Sequence, residues 1–296
     1  YCGQMDINMT GGKVGNIYGA GSAAFVVSTG DVTSVVNISV TGGEVGNIFA
    51  AGKGGDSSVG PTTTYPAFKP EMPPEKFGSL TGEANITVGG DALITGNIYA
   101  SGEGDKPVAY DSKSNAYLEG KAAVTVEGNS TIKGNVYGGG KGISETGYEK
   151  CALVKENSQV EILVAGGTVQ GNVYGGGQAA ETEGSTSVVM AAGNVQGNVY
   201  GGGENGLVHG KTSVSLSGGT VTGSVYGGAL GIPGERLVYG GSTVNMTGGW
   251  VRGNVYGGSE LSNDGPEEDR QDDLVFVNLT GGWVSGNVFG GGYQGV

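Results

Sequence analysis

Cysteine, histidine and tryptophan are nearly missing from this chain of 296 residues, which holds two Cys, one His and two Trp. Two cysteines in so long a chain make neither a disulfide framework nor a metal cage. Cys2 and Cys151 fall near different copies of the repeat described below. They are expected to lie beyond the roughly 7 Å Cα separation a disulfide tolerates, and so to remain thiols, as in a reducing habitat. The single histidine, His209, has no second His or Cys beside it, which argues against a metal site, and one histidine leaves no more than one place for a Ser-His-Asp set. No run of 18 or more apolar residues occurs, so no membrane-spanning helix is encoded. Helical periodicity is also lacking. Basic residues are few, 15 Lys and Arg against 28 Asp and Glu, and the net charge of −13 repels nucleic-acid phosphate and anionic lipid.

Glycine is what the chain has in excess. Its 65 glycines make up more than a fifth of the residues, against a usual share of about 7%. No Gly-X-Y period runs through them, which excludes collagen. Hydrophobic residues, at 36%, recur in order, so a repeat architecture is the first candidate.

One motif, Gly-Asn-(Val/Ile)-(Tyr/Phe)-(Gly/Ala), returns down the whole chain. Its Asn stands at Asn16, Asn47, Asn97, Asn135, Asn172, Asn198, Asn254 and Asn287, with Ser224 replacing it once. Its aromatic is Tyr18, Phe49, Tyr99, Tyr137, Tyr174, Tyr200, Tyr226, Tyr256 and Phe289. The shortest spacing is 26 residues, and longer ones arise from insertions that follow the glycine run. Before each motif lies an alternating segment such as Thr243-Val244-Asn245-Met246-Thr247, which reads as a strand with one buried face. A Gly-Gly turn, a second short apolar piece and the Val-Tyr pair complete the unit.

Three short strands, two tight corners and one variable loop predict one coil of a parallel β-helix. The fold class expected is therefore all-β, a single-stranded parallel β-helix or β-solenoid. A right-handed form is expected in preference to a left-handed one, since left-handed forms usually show strict hexapeptides, with about nine coils of about 26 residues. Residues 1–296 form one solenoid domain, a segment of a longer protein, with long insertions at about 53–83, 103–121, 141–158 and 259–273. One coil cannot bury its apolar face alone, whereas stacked neighbours can, about 4.8 Å apart. Corner Gly is expected to supply positive φ, with Asn the next best residue there. The corners lengthen along the chain, from Met9–Gly15 and Val40–Gly46 to Val88–Gly96 and Val126–Gly134, which predicts a change of cross-section near the first long insertion.

The aromatic ladder is predicted to be structural, since every copy carries it and a binding site is local. Trp250 and Trp283 are local. They share a position that holds Lys13, Glu44, Thr168 or Thr220 elsewhere, hence a solvent-facing one, and they are candidate ligand-binding or partner-binding residues. The insertion from Lys53 to Glu83 holds five of the eight prolines together with Tyr65 and Phe68, two further binding candidates. An acidic loop offers a weak Ca²⁺ site at Asp264, Glu267, Asp269 and Asp272, although it lacks the order of known calcium loops. No cofactor and no other metal is expected. Six Asn-x-Ser/Thr sequons, at Asn8, Asn37, Asn85, Asn129, Asn245 and Asn278, follow from polar alternation along strands and are not read as glycosylation.

The repeat, as in Gly166-Gly167-Thr168-Val169-Gln170-Gly171-Asn172-Val173-Tyr174-Gly175-Gly176-Gly177, resembles the Gly-rich β-helical regions of large bacterial surface adhesins and autotransporter passengers. That resemblance implies secretion, an extracellular or cell-surface location, and adhesion to a host or microbial glycan or protein, with flanking repeats of the same chain as neighbours. The alternative function is a carbohydrate-active β-helix, a polysaccharide lyase, glycosidase or tailspike-like protein. Such enzymes need carboxylates converging on neighbouring coils. Asp6 and Glu161 are expected to share a column several coils apart, with Glu127 in another, so no catalytic residue is assigned.

Overall fold

The computed structural model describes residues 3–21, 26, 33–54, 78–105, 115–145, 148, 150–233, 235–264 and 274–294. Among them the chain is all-β, with no helix and therefore none long and apolar enough to cross a membrane. The first two repeats are single strands, β1 (Gln4–Tyr18) and β2 (Val35–Phe49). The third is β3 (Leu80–Val88), β4 (Leu93–Ile94) and β5 (Ile98–Tyr99); the fourth is β6 (Leu118–Val126), β7 (Thr131–Ile132) and β8 (Val136–Tyr137). The fifth and sixth each have a long and a short strand, β9 (Gln159–Val169) with β10 (Val173–Tyr174), and β11 (Ser185–Val195) with β12 (Val199–Tyr200). The seventh is β13 (Thr212–Leu216), β14 (Thr220–Val221) and β15 (Val225–Tyr226), followed by β16 (Arg236–Val238). The eighth is β17 (Ser242–Met246), β18 (Trp250–Val251) and β19 (Val255–Tyr256), followed by β20 (Asn263–Asp264). The ninth is β21 (Val275–Leu279), β22 (Trp283–Val284) and β23 (Val288–Phe289).

Every strand pairing is parallel, and corresponding residues of successive repeats face one another. Ile7 pairs with Ile38, Ile38 with Ile86, Ile86 with Val124 and Val124 with Ile162. The same column continues through Val188, Val214, Val244 and Val277. Twenty-one strands join one sheet, and β16 pairs with β20 in a second, two-stranded one. Period-2 alternation puts Val214 and Leu216 inside and leaves Ser213 and Ser215 half-buried, as the β-branched-and-polar pattern requires. Burying each Val, Ile or Leu of such a column contributes about 1.5–3 kcal/mol. The aliphatic core runs from Met9 to Val255, and the aromatic column forms a second cluster of its own.

Two expectations about the strands are corrected. The first two repeats are not three short strands but unbroken 15-residue ones. Their corners are shortest, so the chain turns without leaving the ladder; the longer corners after Val88 and Val126 interrupt it with hydrogen-bonded turns. Strands also begin before the expected ends of two insertions, at Leu80 and Leu118, both fully buried and paired with each other.

The role of the Gly-Asn pair differs from the expected one. Among the described residues the positive-φ non-Gly positions are Ala116, Ala152, Asn157 and Ala179, none of them a motif Asn. Positive φ belongs instead to the second Gly of the preceding turn, as at Gly219 and Gly249. The motif Gly is needed for close approach: a Cβ on Gly171 would collide with Asn135 Oδ1 and the Gly134 carbonyl of the previous repeat.

Candidate functional site

The aromatic column is a continuous stack. Neighbouring rings from Tyr18 to Phe289 lie 4.8–5.0 Å apart and within 9° of parallel. Phe49 and the six tyrosines from Tyr99 to Tyr256 are buried. Strand pairing sets the spacing, and the flanking glycines leave room for the rings.

An amide ladder runs alongside. The side-chain oxygen of Asn135 accepts from the Asn172 backbone N–H at 2.8 Å, and Asn172 accepts likewise from Asn198 at 2.7 Å. Ser224 keeps the chain of bonds intact, its N–H donating to Asn198 at 2.7 Å and its hydroxyl accepting from Asn254 at 3.0 Å. The side-chain amides of Asn97, Asn135, Asn172, Asn198 and Asn254 each donate to the tyrosine hydroxyl two residues on, as from Asn172 to Tyr174 at 2.9 Å and from Asn198 to Tyr200 at 2.9 Å. Where Phe49 offers no hydroxyl, the Asn47 amide turns to Asn16 Oδ1 at 2.9 Å. The Asn therefore satisfies buried backbone and phenol together.

Sequence reasoning missed the partners of those phenols. The Tyr18 hydroxyl donates to Glu103, Tyr137 to Glu204 and Tyr200 to Glu260, each at 2.5 Å, while Tyr99 donates to Gln178 at 2.7 Å. Each acceptor lies four residues after its own repeat's ring, and each bond reaches two repeats ahead. Lys141 holds this position in the fourth repeat and donates to Glu103 at 2.8 Å. Burial, then the nearby carboxylate, pushes the Tyr137 and Tyr200 phenols far above their ordinary value, and burial alone leads the rise at Tyr174. Tyr99 is pushed up to about 12, first by burial and then by the charges of Glu204 and Glu103. Burial opposes ionisation of Glu103, but hydrogen bonds from Lys141 and Tyr18 outweigh it and hold the carboxyl below its usual value.

The tryptophans form a different arrangement. β18 and β22 pair Trp250 with Trp283 directly, and their side chains are 42% and 69% exposed. Trp250 Nε1 donates to Ser285 Oγ at 2.8 Å, and the Arg252 guanidinium lies over its ring at 4.6 Å. Two indoles, a guanidinium and a hydroxyl thus meet on one exposed strip.

The other candidates are scattered. Tyr65, Phe68, Glu267, Asp269 and Asp272 lie outside the described residues, as does Cys2, and Asp264 is placed only by its backbone in β20. Among the described residues no group of three or more His, Cys, Asp or Glu is arranged to hold a metal ion. His209 Nε2 sits 3.8 Å from Glu181 and edge-on to Tyr239, and Cys151 is buried with Sγ 3.9 Å from the Asp105 carbonyl. Asp6 and Glu161 share a column, separated by Asn37, Asn85 and Ala123. Hydrogen bonds from Asn37 and Gln4 lower the Asp6 carboxyl. Glu127 follows the end of β6. Of the sequon residues, Asn37 and Asn85 join a polar ladder with Asp6, and Asn278 donates to Asn245 at 2.9 Å. Asn8 pairs with Ser39 on the strand, and Asn129 in a turn reaches Asp91 at 3.3 Å.

No family model, no curated protein and no solved structure matches the chain.

Proposed function

We propose that the chain is a right-handed β-solenoid of about nine coils, an extracellular structural and adhesive rod of a bacterial surface protein. It binds a glycan or a surface protein through its exposed tryptophans. Support for the rod is the column-by-column parallel register from Ile7 to Val277. Support for binding rests on one observation, the Trp250–Trp283 pair, 42% and 69% exposed on adjacent paired strands. Trp and Arg are the residues that most often anchor a binding surface, because each combines large contact area with a polar handle. Arg252 over Trp250 supplies both in one place.

The test is a glycan array, with a reducing-sugar and lyase assay run on the same purified chain. Binding that disappears in Trp250→Ala and Trp283→Ala, with no turnover, is the expected result. Turnover abolished by substitution of a single carboxylate would replace the adhesive reading with the polysaccharide-active one.

A further inference from the structure

The buried tyrosines have a second property that folding alone does not require. Tyr99, Tyr137, Tyr174, Tyr200, Tyr226 and Tyr256 stack in unbroken succession, with no aliphatic side chain between rings. Beside the column, Tyr293 is 55% exposed and meets the Tyr256 ring edge-on at 5.8 Å. Two inner phenols, Tyr137 and Tyr200, each donate to a carboxylate at 2.5 Å, which places a proton acceptor in direct hydrogen-bond reach of each hydroxyl. Packing needs only the ring, as Phe49 and Phe289 show in the same column.

We propose that this column carries one-electron oxidation from the surface into the core, entering at Tyr293 and coming to rest on Tyr200 and Tyr137. The co-reactant is an outer-sphere one-electron oxidant stronger than a phenol. It takes one electron at Tyr293 and is itself reduced by one electron. Tyr293 is refilled by an electron from Tyr256, Tyr256 from Tyr226 and Tyr226 from Tyr200. As Tyr200 loses its electron, its hydroxyl proton passes to Glu260, leaving a neutral phenoxyl radical beside a neutral carboxylic acid. The balance is one oxidant reduced, one O–H bond broken at Tyr200 and one formed at Glu260. No charge is left in the buried column, which is what a low-dielectric interior demands. When the oxidation moves on, Tyr200 takes back an electron from Tyr174 and its proton from Glu260, Tyr174 is refilled from Tyr137, and the Tyr137 hydroxyl proton passes to Glu204.

The test uses the whole chain with photogenerated tris(bipyridine)ruthenium(III) as oxidant, persulfate as the sacrificial acceptor, and electron paramagnetic resonance as readout. Two variants keep the fold: Tyr226→Phe, because Phe already occupies the column, and Glu260→Gln, because Gln178 already accepts from Tyr99. A persistent tyrosyl signal that vanishes in the Tyr200→Phe, Tyr137→Phe double variant is expected in the unaltered chain. Its yield should fall roughly tenfold both in Tyr226→Phe, which removes a hopping site, and in Glu260→Gln combined with Glu204→Gln, which removes both proton acceptors. An unchanged yield in either variant overturns the proposal, and so does peptide mapping that finds oxidation only at Tyr293, Trp250 and Trp283.

Discussion

The tyrosine column and the tryptophan pair both place aromatic residues opposite one another on neighbouring strands, yet they sit in opposite environments. The column is buried, occupies every repeat and has its polar atoms bound by Asn and Glu. The pair is exposed and confined to two repeats, where the equivalent positions elsewhere carry Lys13, Glu44 or Thr220. Repetition marks what stacking demands of each unit; departure from repetition marks what packing does not explain.

Substitutions separate the two ring systems. Tyr137→Ala empties a fully buried site and is expected to destabilise by about 3–5 kcal/mol, whereas Trp283→Ala should stay within about 0.5 kcal/mol. Chemical denaturation followed by circular dichroism measures both, and equal losses would erase the distinction. Next in size is the glycine contrast. Gly171→Ala forces a Cβ onto the preceding repeat and should destabilise by about 1–3 kcal/mol. Gly11→Ala, with open space around its Cβ, should be close to neutral in the same assay. Asn172→Ala leaves the Asn198 N–H and the Tyr174 hydroxyl each short of a partner, an expected loss of about 1–2 kcal/mol. The exposed Asn278→Ala, by comparison, should shift the melting temperature hardly at all.

The last contrast is one of pH. Burial raises Tyr99 to about 12 in the folded chain, against about 10 when unfolded. The folded state therefore holds that proton more tightly. The associated stability is complete below about pH 10 and is lost as pH climbs toward 12. Tyrosinate absorbance at 295 nm should rise together with loss of the β-sheet signal. Early tyrosinate formation in a still-folded chain would show that the column admits water.

Much of the architecture was readable from periodicity. The alternation in Thr243–Thr247 and the recurrence of Val-Tyr after Gly-Asn fixed which residues face inward and which align between repeats. The reason for the Asn was misjudged, because sequence statistics associate Asn with positive φ, whereas here its amide serves a neighbour's N–H and its own repeat's phenol. Glu103, Glu204 and Glu260 escaped notice for a different reason. Their position is also filled by Lys53, Lys141, Gln178 and Leu230, and no local rule connects a carboxylate with a ring two repeats earlier. Reading position by position down the aligned repeats, four residues past each ring, is the signal that finds them.

Those reaching bonds alter how such a stack comes apart. If each repeat touched only its neighbours, the terminal unit could peel away alone and the rest would follow one at a time. Tyr200 bound to Glu260 and Tyr137 bound to Glu204 instead tie the sixth repeat to the eighth and the fourth to the sixth. Detaching the eighth repeat removes the acceptor from the sixth and strands a buried hydroxyl there, so fraying is penalised two steps inward. Under tension along the axis the molecule would thus yield in larger, rarer jumps than a chain of independent links.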